Sequence, residues 1–298
     1  MKQVIDRGEH GIVFMLYPSL NLVAHTANLL GVSIGGAGSR CYHSKKNPYA
    51  IRAIGNAKIN IDDFNVSTIA LAMKDIEDPE RAHSLLTAFL VNSQFPDALQ
   101  RSWEGFYMGY WGTYEKTLIG ETREMLAHCN WGDNLSRMEE AVGHPMKCDF
   151  YVDCVEATVR SCCSIKKDKY GRHPPVTIGN IGPRNDAGFH HEGLHILFDA
   201  DERYHPVFRF MNSHPSPRNS AEFPYKDSRG DVEQAVVIAL DCAIRGRVDY
   251  LDNCYIGYLR APVYDEVRNW YDSGRKQPLP EFLMDLMQRR EAEIFHHQ

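Results

Sequence analysis

The residues best suited to chemistry are His191, Glu192 and His195, which belong to the pentad His-Glu-Gly-Leu-His. Side chains four residues apart lie on the same face of an α-helix, so both imidazoles can approach one metal ion. Glu192 projects to the side, where its carboxylate can take a proton from an attacking water molecule. Two neutral nitrogen ligands and a carboxylate base are the groups that a zinc hydrolase requires. The pentad therefore predicts a site for one Zn²⁺ per chain on a helix.

The surroundings of the pentad favour this interpretation. It lies in a largely apolar stretch from Phe189 to Phe198, as is typical of a helix buried at an active site. A five-residue motif also arises by chance. The alternative is a buried helix whose histidines are satisfied by hydrogen bonds.

The chain has the composition of an ordinary globular protein, with 43% apolar and 24% charged residues among 298. Its formal net charge of −6 argues against nucleic acid or an anionic membrane as the main partner. No stretch approaches the roughly 18 apolar residues of a membrane-spanning helix. We therefore expect neither nucleic acid nor a membrane as a partner, and no pattern predicts an oligomeric state.

The N-terminus and the cysteines indicate the compartment. Residues 1–8 carry too many charges for a secretory signal. The eight cysteines form no CxxC pair and no zinc-ribbon spacing, so we interpret them as reduced thiols. The chain is expected to be cytoplasmic, with export by a signal-less route left open.

The sequence pattern changes character near residue 140, which predicts two regions. Residues 1–140 are expected to be mainly helical, and residues 141–298 to combine a small sheet with helices, which gives an α+β fold. Strands are expected at 12–16, 150–155 and 176–181. Helices are expected at 20–30, from Pro79, from Pro96, and at 231–244, 262–272 and 279–295, whereas the proline-rich segment 203–228 is expected to be irregular.

The order of these elements resembles that of the zincin metallopeptidases, over about residues 145–245. The resemblance rests on the pentad, which follows a short strand and precedes a further helix. It implies a zincin-like metallohydrolase domain that cleaves a peptide bond of a specific protein or peptide substrate. In that family the strand before the metal helix lines the cleft and pairs with extended substrate. The residues at that place are Val176, Thr177, Ile178, Gly179 and Asn180.

The third metal ligand would decide the subclass. A gluzincin-like arrangement takes a glutamate from the second helix, where Glu233 is the best-placed candidate. Glu233 is also explained as an acid in the first turn of a helix, where acids are favoured anyway. A metzincin-like pattern would place the ligand at Asp201, although Phe198 stands where that pattern requires glycine. His205, in the following loop, is the other alternative.

The resemblance also implies a mechanism. Zinc would acidify water, and Glu192 would take its proton and later pass it to the leaving nitrogen. A donor from the irregular segment would help zinc to stabilise the oxyanion. The candidates for this donor are Tyr204, His205, His214 and Tyr225.

Two other functions compete with the zinc peptidase. The first is a di-iron or other metal-dependent enzyme, because Glu-x-x-His also occurs at Glu80/His83, Glu202/His205 and Glu293/His296. The second is a non-catalytic protein with a chance pentad, which would bind a partner through its aromatic-rich helical half, from Trp103 to Tyr114.

Overall fold

The computed structural model describes residues 1–6, 9–30, 49, 52–53, 94–147, 149–155, 176–179, 187–214, 228–246 and 256–296. The chain forms two compact units, one of residues 1–132 with 148–192 and one of residues 133–147 with 193–298. The helices Trp131–Val142 and Ala187–Ala200 each supply residues to both units. The units are therefore interleaved along the sequence, and the division at residue 140 stays a prediction.

The first unit contains a four-stranded sheet in the order β1-β2-β3-β4. The strands are β1 (Lys2–Asp6), β2 (Gly11–Met15), β3 (Phe150–Val155) and β4 (Val176–Gly179). The pair β1–β2 is antiparallel, whereas β2–β3 and β3–β4 are parallel. All five residues of β2 are buried, as expected for a strand with neighbours on both sides and an apolar sequence.

Aromatic rings form much of the core of the first unit. Phe14 on β2 packs edge-on against Trp131 at a centroid distance of 4.8 Å. Trp131 contacts Phe189 in the same way at 5.2 Å, and Phe189 lies 5.9 Å from Phe150 on β3. Edge-to-face contacts of this kind are favourable beyond the area that they bury. Because Phe189 belongs to the first turn of the pentad helix, the cluster ties the start of that helix to the sheet.

The remaining helices of the first unit are α1 (Pro18–Leu29) and a run from Phe95 to His128. The run consists of α2 (Phe95–Ser102), a π-helical turn (Trp103–Tyr107) and α3 (Met108–His128). Helix α1 is bound to the sheet because Asn21 donates a hydrogen bond to the carbonyl of Cys154 at 3.1 Å. The aromatic residues of the run divide between core and surface, with Tyr107 buried and Tyr114 47% exposed.

All the regular secondary structure that is described in the second unit is helical. Its helices are α4 (Trp131–Val142) and α5 (Ala187–Ala200), both shared with the first unit, then α6 (His205–Asn212), α7 (Ser228–Arg245), α8 (Asp265–Asp272), α9 (Leu279–Arg289) and α10 (Glu291–Phe295). Shorter turns lie at Glu202–Tyr204, Gly257–Leu259 and Arg260–Tyr264. Helix α7 is buried around most of its circumference from Val232 to Cys242.

The α+β class expected from the sequence is confirmed, and so are the strands near 12–16, 150–155 and 176–181. The prediction that 203–228 is irregular is wrong for its first part, because α6 begins at His205 with Pro206 in its first turn. The helix expected from Pro79 and residues 215–227 lie outside the described residues. Among the helices that the structure describes, none is long and apolar enough to cross a membrane.

Candidate functional site

The pentad lies on helix α5, and its side chains share the least buried stripe of that helix. His191, Glu192, His195 and Asp199 are half-buried, whereas Leu194 and the run Ile196–Phe198 are buried. Positions 191, 195 and 199 are successive four-residue steps and therefore follow one face. Among apolar surroundings, the helix thus keeps its two imidazoles and two carboxylates partly accessible to solvent.

The C-terminal end of α5 is held by residues of the segment after α4. Helix α4 ends at Gly143, whose φ of +80° is the left-handed conformation that glycine adopts readily. The next residue, His144, is buried and brings its Nε2 atom to within 3.1 Å of the Leu197 carbonyl. Carbonyls in the last turn of a helix need an external donor. His144 supplies that donor and so fixes the turn that follows His195.

His195 contacts helix α7 through both of its ring nitrogens. Its Nδ1 atom lies 2.7 Å from Oε1 of Glu233, and its Nε2 atom lies 3.0 Å from the side-chain oxygen of Gln234. The carboxylate can only accept, so Nδ1 carries the proton and donates it. A carboxylate that accepts from one ring nitrogen is the usual partner of a histidine that binds metal through the other nitrogen. The structure therefore brings Glu233 to His195 in a position that orients the ring, and Glu233 would have to leave Nδ1 before it could bind an ion held by Nε2.

Arg229, one turn before Glu233 on α7, completes this group. Its Nε atom donates to Oε2 of Glu233 at 2.9 Å, and its Nη2 atom lies 3.4 Å from Asp199. Its guanidinium also stacks on the ring of Phe208, 3.8 Å from the centroid. Asp199 lies near the C-terminal end of α5, where the helix dipole disfavours an acid. The guanidinium offsets that cost.

Burial and charge act in opposite directions on Glu233. Burial on its own would raise the pKa of this carboxyl group. The hydrogen bonds and charges of His195 and Arg229 outweigh that effect and hold the pKa below its ordinary range. Glu233 is therefore an ionised carboxylate inside the second unit, with both oxygens engaged by cationic or polar donors.

These donors match zinc in type, because two imidazoles on one helical face and a nearby carboxylate are common zinc ligands. In the part of the chain that the structure describes, however, no three His, Cys, Asp or Glu side chains already lie close enough to hold a metal. At His195 the Gln234 amide contacts Nε2 and would have to turn away before that nitrogen could bind an ion. The third ligand stays a prediction.

Asp201, the alternative metal ligand, is engaged by other side chains of the second unit. It is 2% exposed and begins the turn Glu202–Tyr204 by accepting from the Arg203 backbone N–H at 3.1 Å. The Arg203 side chain binds the same carboxylate, and Lys147 lies 3.4 Å from it. Burial alone would raise the pKa of Asp201, but the hydrogen bonds from Arg203 and the charges of Arg203 and His144 lower it to about 2. Arg203, Lys147 and His144 therefore supply the positive charge that offsets the Asp201 carboxylate near the C-terminal end of α5.

The other candidate ligands and oxyanion donors, which come from segment 203–228, lie in separate environments. His205 is exposed in the first turn of α6. Tyr204 is buried and donates its hydroxyl to the Val142 carbonyl at 2.9 Å, which assigns it to the packing of the second unit. His214 stacks on Phe295 with ring centroids 4.2 Å apart. Tyr225 lies outside the described residues.

Strand β4 is the last strand of the sheet among the described residues, and it covers Val176 to Gly179. An edge position is what pairing with an extended substrate requires. Asn180 lies outside the described residues.

The pairs considered for a di-iron site do not suit one. Glu202, His205, Glu293 and His296 are all exposed, and Glu293 binds Arg290 at 2.8 Å. A di-iron site needs carboxylates that project inward from facing helices. Glu80 and His83 lie outside the described residues.

Sequence reasoning missed Arg229 and Asp199. A signal for them exists, since His195 and Asp199 are four apart on α5, as are Arg229 and Glu233 on α7. Such spacing marks a shared helix face. It does not say which two faces meet.

Comparison with known proteins yields no relative. No protein-family model matches the chain, no curated protein matches its sequence, and no solved structure matches its fold.

Proposed function

We propose that this chain is a zinc-dependent hydrolase of peptide bonds, in which His191 and His195 bind the metal. One observation carries the proposal. On an otherwise buried helix, the pentad side chains occupy the accessible stripe, and His195 is tied through Nδ1 to the buried carboxylate of Glu233. A histidine that only filled a core would not need both a partly open face and an ionised partner.

The metal and the protein would have separate tasks. Zinc, when bound, supplies a positive charge that acidifies water and polarises a carbonyl group. His191 and His195 would hold it, and Glu233, the third ligand predicted from the sequence, would orient His195 for as long as it keeps its contact with Nδ1. Because its carboxylate is ionised, Glu233 accepts from Nδ1–H, which makes Nε2 the nitrogen through which His195 would bind the ion.

Glu192 would act as the general base. Glu192 is half-buried and follows His191 on α5, so its carboxylate lies at the edge of the histidine face. It would take a proton from the attacking water and pass it to the leaving nitrogen as the peptide bond breaks. The edge of β4 would align an extended peptide by main-chain hydrogen bonds.

The experiment that tests this function compares the wild type with Glu192→Gln on a broad library of peptides, with cleavage read by mass spectrometry. Both proteins are first shown to contain equal zinc, so that only the base differs. We expect cleavage by the wild type, its loss with a chelator, and its loss in Glu192→Gln. The exposed His128, which among the described residues contacts the Glu124 carbonyl of its own helix, provides the control variant His128→Ala. Full cleavage by Glu192→Gln would overturn the proposed mechanism.

A further inference from the structure

The second unit contains a cluster of four side chains from two helices, joined by three polar contacts. His195 contacts Glu233, Glu233 binds Arg229, and Arg229 binds Asp199. Asp199 follows His195 by one turn of α5, and Glu233 follows Arg229 by one turn of α7. Each helix therefore contributes two neighbouring positions of one face, and two polar contacts cross from helix to helix.

We propose that Arg229 is a positioning residue, which holds the Glu233 carboxylate against Nδ1 of His195 and so sets the direction of the imidazole. The inference rests on the proposed function for its purpose, because a fixed imidazole is what a metal ligand needs. The contacts of Glu233 with Arg229 and His195 support the positioning role whether or not a metal binds.

Arg229 is itself held on three sides, which is what positioning requires. Glu233 and Asp199 bind two different nitrogens of its guanidinium. Phe208 of α6 covers one face of the guanidinium at 3.8 Å, and the side chain is only 17% exposed. A planar guanidinium can stack and bind two carboxylates at once, which the ammonium of a lysine cannot reproduce. The carboxylate of Glu233 thus has one defined orientation.

The charges of these four side chains also favour a cation beside them. Two carboxylates face one guanidinium, and both ring nitrogens of His195 lie against oxygens, so a second positive charge at the imidazole would balance the four side chains. Buried charge of one sign is costly unless it is compensated. A divalent cation bound at Nε2 of His195, in place of the Gln234 amide, would supply that positive charge.

The first test measures the orientation of the His195 imidazole in the protein without metal. The Nδ1–H proton of His195 is followed by ¹H–¹⁵N NMR, with His195→Ala to assign it. In the wild type, a proton donated to a buried carboxylate is expected to exchange slowly with water. In Arg229→Met this signal is expected to be lost. It is expected to persist in Arg245→Met, a matched control, because Arg245 forms the same kind of buried pair on α7 with Asp241.

The second test measures zinc affinity by competition with a chelating indicator. Residues that orient a metal-binding histidine are worth about 10- to 100-fold in metal affinity. We expect Arg229→Met to weaken zinc binding by that factor, Asp199→Asn to weaken it less, and the double variant to resemble Arg229→Met, since both act through one guanidinium. With Co²⁺ in place of zinc, the absorption bands are expected to keep their positions, because the donor atoms do not change.

The outcomes separate this inference from the proposed function. An unchanged Nδ1–H signal in Arg229→Met, or equal losses in Arg229→Met and Arg245→Met, would overturn the role of Arg229. A wild type that shows the protected proton but binds no zinc would overturn the proposed function and leave the positioning role supported. If Arg229→Met does not fold, Arg229→Lys carries the same expectation, because an ammonium cannot bind two carboxylates while it stacks on Phe208.

Discussion

Replacing Asp201 with asparagine should destabilise the protein in a pH-dependent way and leave metal binding intact. The pKa of Asp201 is about 2, against an ordinary value of 3.8. Each pKa unit corresponds to about 1.4 kcal/mol, so the ionised carboxylate contributes about 2 kcal/mol at neutral pH. The Arg203 side chain is 50% exposed, and water weakens its attraction. We therefore expect Asp201→Asn to lower the free energy of unfolding by about 1 to 2 kcal/mol at pH 7.

The sign of the pH dependence follows from the lowered pKa. The folded protein holds Asp201 ionised more strongly than the unfolded chain does, so its contribution is complete above about pH 4 and disappears as the pH falls towards 2. Urea unfolding of wild type and variant, followed by circular dichroism between pH 7 and pH 2.5, measures the difference. The neighbouring exposed Glu202 provides the control Glu202→Gln. A difference that is the same at both pH values would refute the ion-pair account, and loss of zinc in Asp201→Asn would make Asp201 a ligand.

Three further predictions follow from buried contacts. Burial lowers the pKa of His25 to about 3, so wild-type stability should fall as the pH drops from 6.5 towards 3, and His25→Phe should remove most of that fall in unfolding experiments. Glu233→Gln should weaken zinc binding by about 10- to 100-fold in the same titration, because Glu233 orients His195, and a larger loss would show that Glu233 is itself a ligand. Trp131→Ala should cost about 3 to 5 kcal/mol by urea unfolding, because it empties the ring cluster around Phe14 and Phe189, and Trp131→Phe should cost clearly less.

The elements of the fold that carry strong local signals could be predicted from the sequence. Helix α7 has a long apolar run after an acidic first turn, and α5 has a largely apolar sequence around the pentad. The segment after α5 is harder to predict, because its prolines, Pro206 among them, indicate an irregular segment over 203–228. Proline in the first turn lacks only an N–H that would be unpaired anyway, so α6 forms around it.

The contacts of the candidate site could be predicted only in part. The pentad itself defines the positions of His191, Glu192 and His195 relative to one another, because a helix has fixed geometry. The partnership of Asp199 with Arg229 joins residues that are far apart in sequence, and it depends on which faces of α5 and α7 meet. Local spacing carries no information about that choice. For the same reason Asp201 was a credible ligand by spacing, although Arg203 and Lys147 surround it in the fold.

Metal binding by the pentad is tested by the zinc content of the protein purified without added metal, measured by plasma mass spectrometry. The wild type, His191→Ala, His195→Ala and the control His128→Ala are compared, with circular dichroism to show that each is folded. If His191 and His195 bind the metal, the wild type and the control contain about one zinc per chain, and both pentad variants lose it. A folded wild type without zinc, or pentad variants that keep their zinc, would show that the pentad is not a zinc site.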